Sequence, residues 1–88
     1  MKNRSLESLS LNRKTEYPQF HDRLRYAMIR RDFTNQKLAA RIHVTPSAVS
    51  AYKKGHRRPS FEQLRDIALA LNVSVDYLLG LRDHMNLY

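Results

Sequence analysis

The most concentrated chemistry in the sequence is a group of bases just past its midpoint. The group consists of Lys53, Lys54, His56, Arg57 and Arg58. Cationic side chains clustered in this way neutralise phosphates, so the group could bind a nucleic-acid backbone. A solvated basic loop has the same composition, and the segment alone does not separate the two interpretations.

Two other patterns could suggest catalysis or metal binding, and both are weak. Ser50 and Lys53 have the Ser-x-x-Lys spacing of penicillin-binding enzymes, but neither the Ser-Asp-Asn nor the Lys-Thr-Gly motif accompanies them. The four histidines are dispersed and have no thiolate or carboxylate at ligand spacing. We therefore expect no enzyme activity, no metal site and no cofactor.

The positive charge is concentrated in the middle of the chain. The 88 residues include 16 Lys and Arg against 8 Asp and Glu, for a formal net charge of +8. Residues 18–58 hold ten of the bases and two acids, whereas residues 59–88 hold two bases and four acids. A charge that served only solubility would be spread along the chain, so we expect one face to meet phosphate and another to meet protein.

Length and composition exclude several classes of protein. A chain of 88 residues has material for one compact core and no large catalytic scaffold. The absence of Cys excludes disulfides and thiolate zinc sites, and it favours a reducing, cytoplasmic setting. The longest apolar run, residues 67–71, is too short for a membrane span or a signal peptide, so we expect no membrane association.

Apolar spacing predicts five short helices and no strand, which is an all-α fold. The first helix begins near Pro18, and its apolar face consists of Phe20, Leu24, Ala27 and Met28. Tyr26 and Ile29 fall outside this face. They are either ordinary exposed residues or part of a contact surface.

The second and third helices are marked by their ends. Thr34 is a suitable N-cap for a helix that stops near His43, which we expect in the left-handed turn position. Thr45-Pro46 supplies the next cap and a proline at the first helical position, and Gly55 is a natural left-handed stop. Two short helices with so tight a connection form a helix-turn-helix, and Ala39 provides a small side chain where they approach.

Two more helices follow. Ser60 and Gln63 form a capping box that opens a helix ending near Asn72. We expect its apolar stripe to consist of Phe61, Leu64, Ile67, Ala68 and Leu71. Ser74 caps the fifth helix, and Gly80 closes it.

The sequence from about residue 20 to residue 80 resembles the phage repressor and Cro-type helix-turn-helix regulators, also called Xre-like regulators. The most specific stretches are residues 33–39, 44–50, 55–60 and 68–79. The resemblance implies a compact five-helix repressor-like DNA-binding domain whose third helix, at about residues 45–54, enters the major groove. It also implies dimers on half-sites about 34 Å apart.

With that resemblance, the chain divides into three segments. We expect residues 1–17 to form a flexible basic and polar arm, residues 18–80 the helix-turn-helix DNA-binding domain, and residues 81–88 a C-terminal tail. Leu6 and Leu9 could seed a helical turn in the arm, but they are too few to offset its backbone entropy. The tail either frays or extends a dimer contact through Leu81, Met85, Leu87 and Tyr88.

The resemblance also implies site residues. Bases would be read by Pro46, Ser47, Ser50 and Ala51, at the start and on the outward face of the third helix. Phosphates would be met by Thr34, Asn35, Lys53, Lys54, His56, Arg57 and Arg58. Because none of the base-reading residues can make the bidentate hydrogen bonds of Arg, Asn or Gln, we expect modest or partly shape-based specificity.

The sequence departs from the family pattern in two ways. Many relatives have Gln where Asn35 stands, and the shorter amide should be less able to brace a residue of the recognition helix. Relatives commonly pair an Arg of the first helix with a Glu at the end of the third, and those positions are here Met28 and Lys53. Losing both partners avoids an orphaned buried charge, and it should leave Lys53 free to meet DNA.

Two hypotheses of function follow. The first is a sequence-preferring, double-stranded DNA-binding transcriptional regulator, a repressor that acts as a homodimer on an inverted-repeat operator. The alternative is an antitoxin-like or adaptor protein that binds a protein partner through the acidic final third and the exposed Tyr26 and Ile29. The small base-reading residues favour the alternative.

Overall fold

The computed structural model describes residues 19–86, which contain five α-helices and no strand. The helices are α1 Phe20–Arg30, α2 Asn35–Ile42, α3 Pro46–Lys54, α4 Phe61–Leu71 and α5 Val75–Leu78. The all-α prediction is therefore confirmed. The predicted arm, the role of Pro18 in the first turn, and the expectations for Leu87 and Tyr88 lie outside the described residues.

Helices α2 to α5 each begin at the polar residue expected to cap them. The hydroxyls of Thr34, Thr45, Ser60 and Ser74 each accept a hydrogen bond of 3.0–3.1 Å from the backbone N–H three residues later. Each cap satisfies one of the N–H groups that a helix leaves without an internal partner. Helix α1 differs, because the side chain of Gln19 makes no capping bond.

The expected helix stops are also present. His43, Gly55 and Asn72 end α2, α3 and α4 with φ values of 61°, 76° and 57°, in the left-handed region. Gly80, with φ 81°, follows α5. His and Asn tolerate this conformation better than most side chains, so short loops can reverse the chain at these points.

One core joins the five helices. Its largest fully buried side chains are Leu24, Leu38, Val49, Tyr52, Ile67, Leu71, Val73 and Leu78. Ala39 is buried where α2 packs against α3, as expected for a small residue at a close crossing. Helix α3 packs against both α1 and α2, which fixes the face that it presents to solvent.

Phe61 lies outside this core, although the sequence placed it on the buried stripe of α4. Its side chain is 86% exposed. Phe61 is the first residue of the helix, and the stripe first meets other elements one turn later, where Leu64 packs against the core. The expectation was wrong because helical spacing identifies a face but not where along the helix a neighbour begins.

Residues 81–86 fold back onto the helices. The Met85 carbonyl accepts a 2.9 Å hydrogen bond from the Ser74 backbone N–H, and the Met85 side chain packs against the core. The Arg23 guanidinium lies 4.2 Å from the centroid of the Tyr77 ring. Met85 therefore contacts its own chain, while Leu81 is exposed.

No helix within residues 19–86 has the length and apolar content needed to cross a membrane.

Candidate nucleic-acid interface

Helix α3 has one face in the core and the other open to solvent. Ala48, Val49 and Tyr52 are buried, and Thr45 and Pro46 fix the start of the helix. The residues expected to read bases lie on the other side: Pro46 and Ser47 are exposed, and Ser50 and Ala51 are half-buried. The structure thus brings these four residues together on one outward surface of α3.

The residues expected at phosphates lie at two places beside that surface. Thr34 and Asn35 are at the N-terminus of α2, where backbone N–H groups and the helix dipole favour an anion. The second place is the basic segment that runs from the end of α3 toward α4. Its side chains at Lys54, His56, Arg57 and Arg58 are all exposed.

Lys53 joins these two places and is not free, contrary to the expectation from sequence. Its ammonium donates a 2.8 Å hydrogen bond to Oδ1 of Asn35. The shorter amide of Asn35 therefore does brace a residue of α3, because the long lysine side chain spans the gap. Met28, which stands where the resemblance implies an Arg, is 2% exposed and lies in the core, so no charge is stranded there.

Arg25 also contacts Lys53, and the sequence analysis missed this residue. One guanidinium nitrogen of Arg25 donates to the Lys53 backbone carbonyl, and the other donates to the Asp22 carboxylate. An arginine of α1 therefore contacts the end of α3. This arginine lies one turn before Met28, and it bonds to a backbone carbonyl rather than to a side chain. The Asp22–Arg25 spacing of three residues was the available signal, since such pairs share a helix face.

Gly55 sets the point where the basic segment leaves α3. Its φ of 76° is left-handed, and a Cβ at this position would lie 2.8 Å from Cδ2 of His21. Only glycine adopts this φ without strain and also leaves the His21 ring in place. The start of the basic segment is therefore held against the first turn of α1.

The helix-turn-helix family model matches residues 24–78. The chain belongs to the helix-turn-helix family. The match includes α2, α3 and the basic segment, and it confirms the resemblance to Xre-like regulators. The family is not one of enzymes.

Two curated proteins of Bacillus subtilis (strain 168) are similar to this helix-turn-helix protein. Both are uncharacterized HTH-type transcriptional regulators. YqaE is 35% identical over 60 residues, which are 68% of this chain and 52% of YqaE. YobD is 34% identical over 61 residues, which are 69% of this chain and 54% of YobD. The chain spans about half the length of these relatives.

Among solved structures, the fold is similar to that of the P22 c2 repressor protein, which was crystallised in complex with a synthetic operator. The sequences are 25% identical, the TM-score is 0.69, and the match covers 74% of this chain and 98% of that chain. The five-helix arrangement is therefore that of a phage repressor helix-turn-helix domain.

Proposed function

We propose that this helix-turn-helix protein is a sequence-preferring, double-stranded DNA-binding transcriptional regulator that inserts α3 into the major groove. The observation that carries the proposal is the exposure of Pro46 and Ser47 beside the exposed basic segment. A helix anchored on one side and open on the other, with cations at its end, suits a groove about 12 Å wide with phosphates on both edges.

The interface divides into readout and anchoring. The Ser47 and Ser50 hydroxyls can donate to or accept from base edges, and Pro46 and Ala51 offer apolar contact to thymine methyl groups. Anchoring comes from residues that would contact phosphates and fix the register of α3: Thr34, Asn35, Lys54, His56, Arg57 and Arg58. Because the readout residues are small, specificity rests partly on the shape of the DNA.

We also propose that the protein acts as a homodimer on an inverted repeat and represses by occupying a promoter. The similarity to a repressor crystallised with a synthetic operator supports this proposal. Exposed Phe61, Leu69 and Leu81 provide apolar surface outside α3 that could form a contact between copies. Selection of bound duplexes from a random pool tests it, because a dimer recovers an inverted repeat and a monomer a single half-site.

Binding of a protein partner, as an antitoxin-like or adaptor protein, is the second candidate. It is favoured by the exposure of Ile29 and Tyr26 on α1, at 75% and 48%. Both are large apolar side chains on a helix whose other face is already buried. Such residues are available to a partner, but they also occur singly on ordinary surfaces.

Titration of a fluorescent duplex with the full chain separates the two candidates. A regulator that makes about 6 to 10 phosphate contacts loses about 10³ to 10⁵ in affinity between 50 and 200 mM KCl. Arg57→Ala should weaken binding, whereas Arg65→Ala, on the outer side of α4, should not. Weak binding that does not depend on salt would contradict the DNA role and favour the partner.

A further inference from the structure

Lys53 is held at both of its ends by residues of other helices. Its backbone carbonyl accepts a hydrogen bond from Arg25 of α1, and its ammonium donates to Oδ1 of Asn35 in α2 at 2.8 Å. The last turn of α3 is therefore attached to both helices that pack against it. We call Arg25, Asn35 and Lys53 the Lys53 clamp.

The α1 half of the clamp has a clear electrostatic basis. The last carbonyls of a helix have no partner within the helix and carry partial negative charge, so a guanidinium is favourable beside them. The Asp22 carboxylate binds the other guanidinium nitrogen of Arg25. Arg25 is thus fixed in the orientation that meets the carbonyl, which is a stronger constraint than an isolated surface arginine would give.

The α2 half of the clamp fixes the orientation of an amide. An ammonium group only donates hydrogen bonds, so the oxygen of the Asn35 amide must face Lys53. The NH2 group then remains as a donor. Asn35 is the first residue of α2, at the positively polarised helix end where a phosphate contact is proposed.

On the basis of the proposed DNA-binding function, we propose that Lys53 is a positioning residue of the interface. It fixes the last turn of α3 and orients the Asn35 amide so that its NH2 group meets a phosphate, and it does not itself neutralise one. Its neighbour Lys54 is exposed and is the phosphate-neutralising lysine of the pair. The two adjacent lysines therefore have different roles.

Salt dependence distinguishes these roles. The matched variants are Lys53→Met and Lys54→Met in the full chain, and the probe is a duplex selected in vitro with the wild-type protein. Lys54→Met should reduce the slope of log K against log [KCl] by about 0.9, the value for one phosphate. Lys53→Met should keep the wild-type slope and weaken binding about 3- to 10-fold. An equal fall in slope for both variants overturns the proposal.

A double-mutant cycle with Asn35→Ala tests whether Lys53 acts through the amide. If it does, Lys53→Met should weaken binding less than about twofold in the Asn35→Ala background, because the amide that it orients is gone. If Lys53 and Asn35 instead made independent phosphate contacts, the fold loss in affinity of the double variant would be the product of the two single losses. That result overturns the proposal.

A measurement without DNA keeps the clamp testable if the proposed function fails. In the free chain, Lys53→Met should shift the NMR signals of the Asn35 side-chain NH2 group, and Lys54→Met should not. Arg25→Lys, which cannot bind the carboxylate and the carbonyl with one planar fork, should speed amide exchange in the last turn of α3. If the wild-type chain does not bind the duplex, the proposed function is refuted. If the Asn35 side-chain signals are unchanged in Lys53→Met, the clamp is refuted.

Discussion

The Tyr52 hydroxyl donates a 2.7 Å hydrogen bond to Oε1 of Gln63. The same oxygen accepts a 3.1 Å hydrogen bond from the backbone N–H of Ser60, which completes the capping box of α4. One glutamine thus caps α4 and satisfies the polar end of a tyrosine that is otherwise wholly buried. The orientation of α3 is therefore tied to the start of α4 across the basic segment.

Gln63→Ala should destabilise the protein by about 2 to 3 kcal/mol, because it removes half of a cap and leaves a buried hydroxyl unsatisfied. Tyr52→Phe should cost only about 1 kcal/mol, since the cap survives. Urea unfolding followed by circular dichroism measures both. Glu62→Ala at the neighbouring exposed position is the control, and an equal loss for Gln63→Ala and Glu62→Ala would contradict the assigned role.

Gly55→Ala should destabilise the protein by more than about 2 kcal/mol, since a left-handed backbone strain adds to the clash with His21. Removing the His21 ring should reduce the destabilisation that Gly55→Ala causes. In a His21→Ala background the same substitution should cost only about 1 to 2 kcal/mol, the backbone share. The comparison uses calorimetric Tm values of the wild type, of the Gly55→Ala and His21→Ala variants, and of the double variant. Equal losses in both backgrounds would mean that the His21 contact does not matter.

Phe61→Ala should change the free energy of unfolding by less than about 0.5 kcal/mol, because the side chain is already exposed. Ile67→Ala, on the buried face of the same helix, should cost about 2 to 5 kcal/mol. Urea unfolding at low protein concentration measures both without a contribution from association. Comparable losses at the two positions would place Phe61 in the core after all.

Ser47→Ala should change the preference at one base position of a selected site by about 1 to 3 kcal/mol, whereas Arg57→Ala should weaken all sequences about equally. Competition binding with duplexes that carry every single-base substitution distinguishes the two patterns. If the preference profile of Ser47→Ala matches that of the wild type, Ser47 does not read a base.

Features that depend on neighbouring residues were predictable from the sequence. Thr45-Pro46 starts α3, and Gly55 ends it, through contacts that span only a few residues. Helical spacing puts Tyr52 on the same face of α3 as Val49, and both side chains are fully buried. The helix-turn-helix and its outward surface follow from such local signals.

Features that depend on distant partners were not predictable in this way. Lys53 and Asn35 are 18 residues apart, and Arg25 and Lys53 are 28 apart. Helical periodicity shows which face of a helix a residue occupies, but not which side chain or carbonyl stands opposite. For this reason Lys53 was expected to be free, Arg25 was missed, and Phe61 was assigned to the core.

Chemical-shift mapping of the full chain on addition of a selected duplex tests the central claim most directly. The largest backbone amide shifts should fall in residues 45–58 and at Thr34 and Asn35, whereas Glu62 and Arg65, exposed on α4, should not shift. A saturating duplex that leaves residues 45–58 undisturbed would contradict the insertion of α3 into DNA.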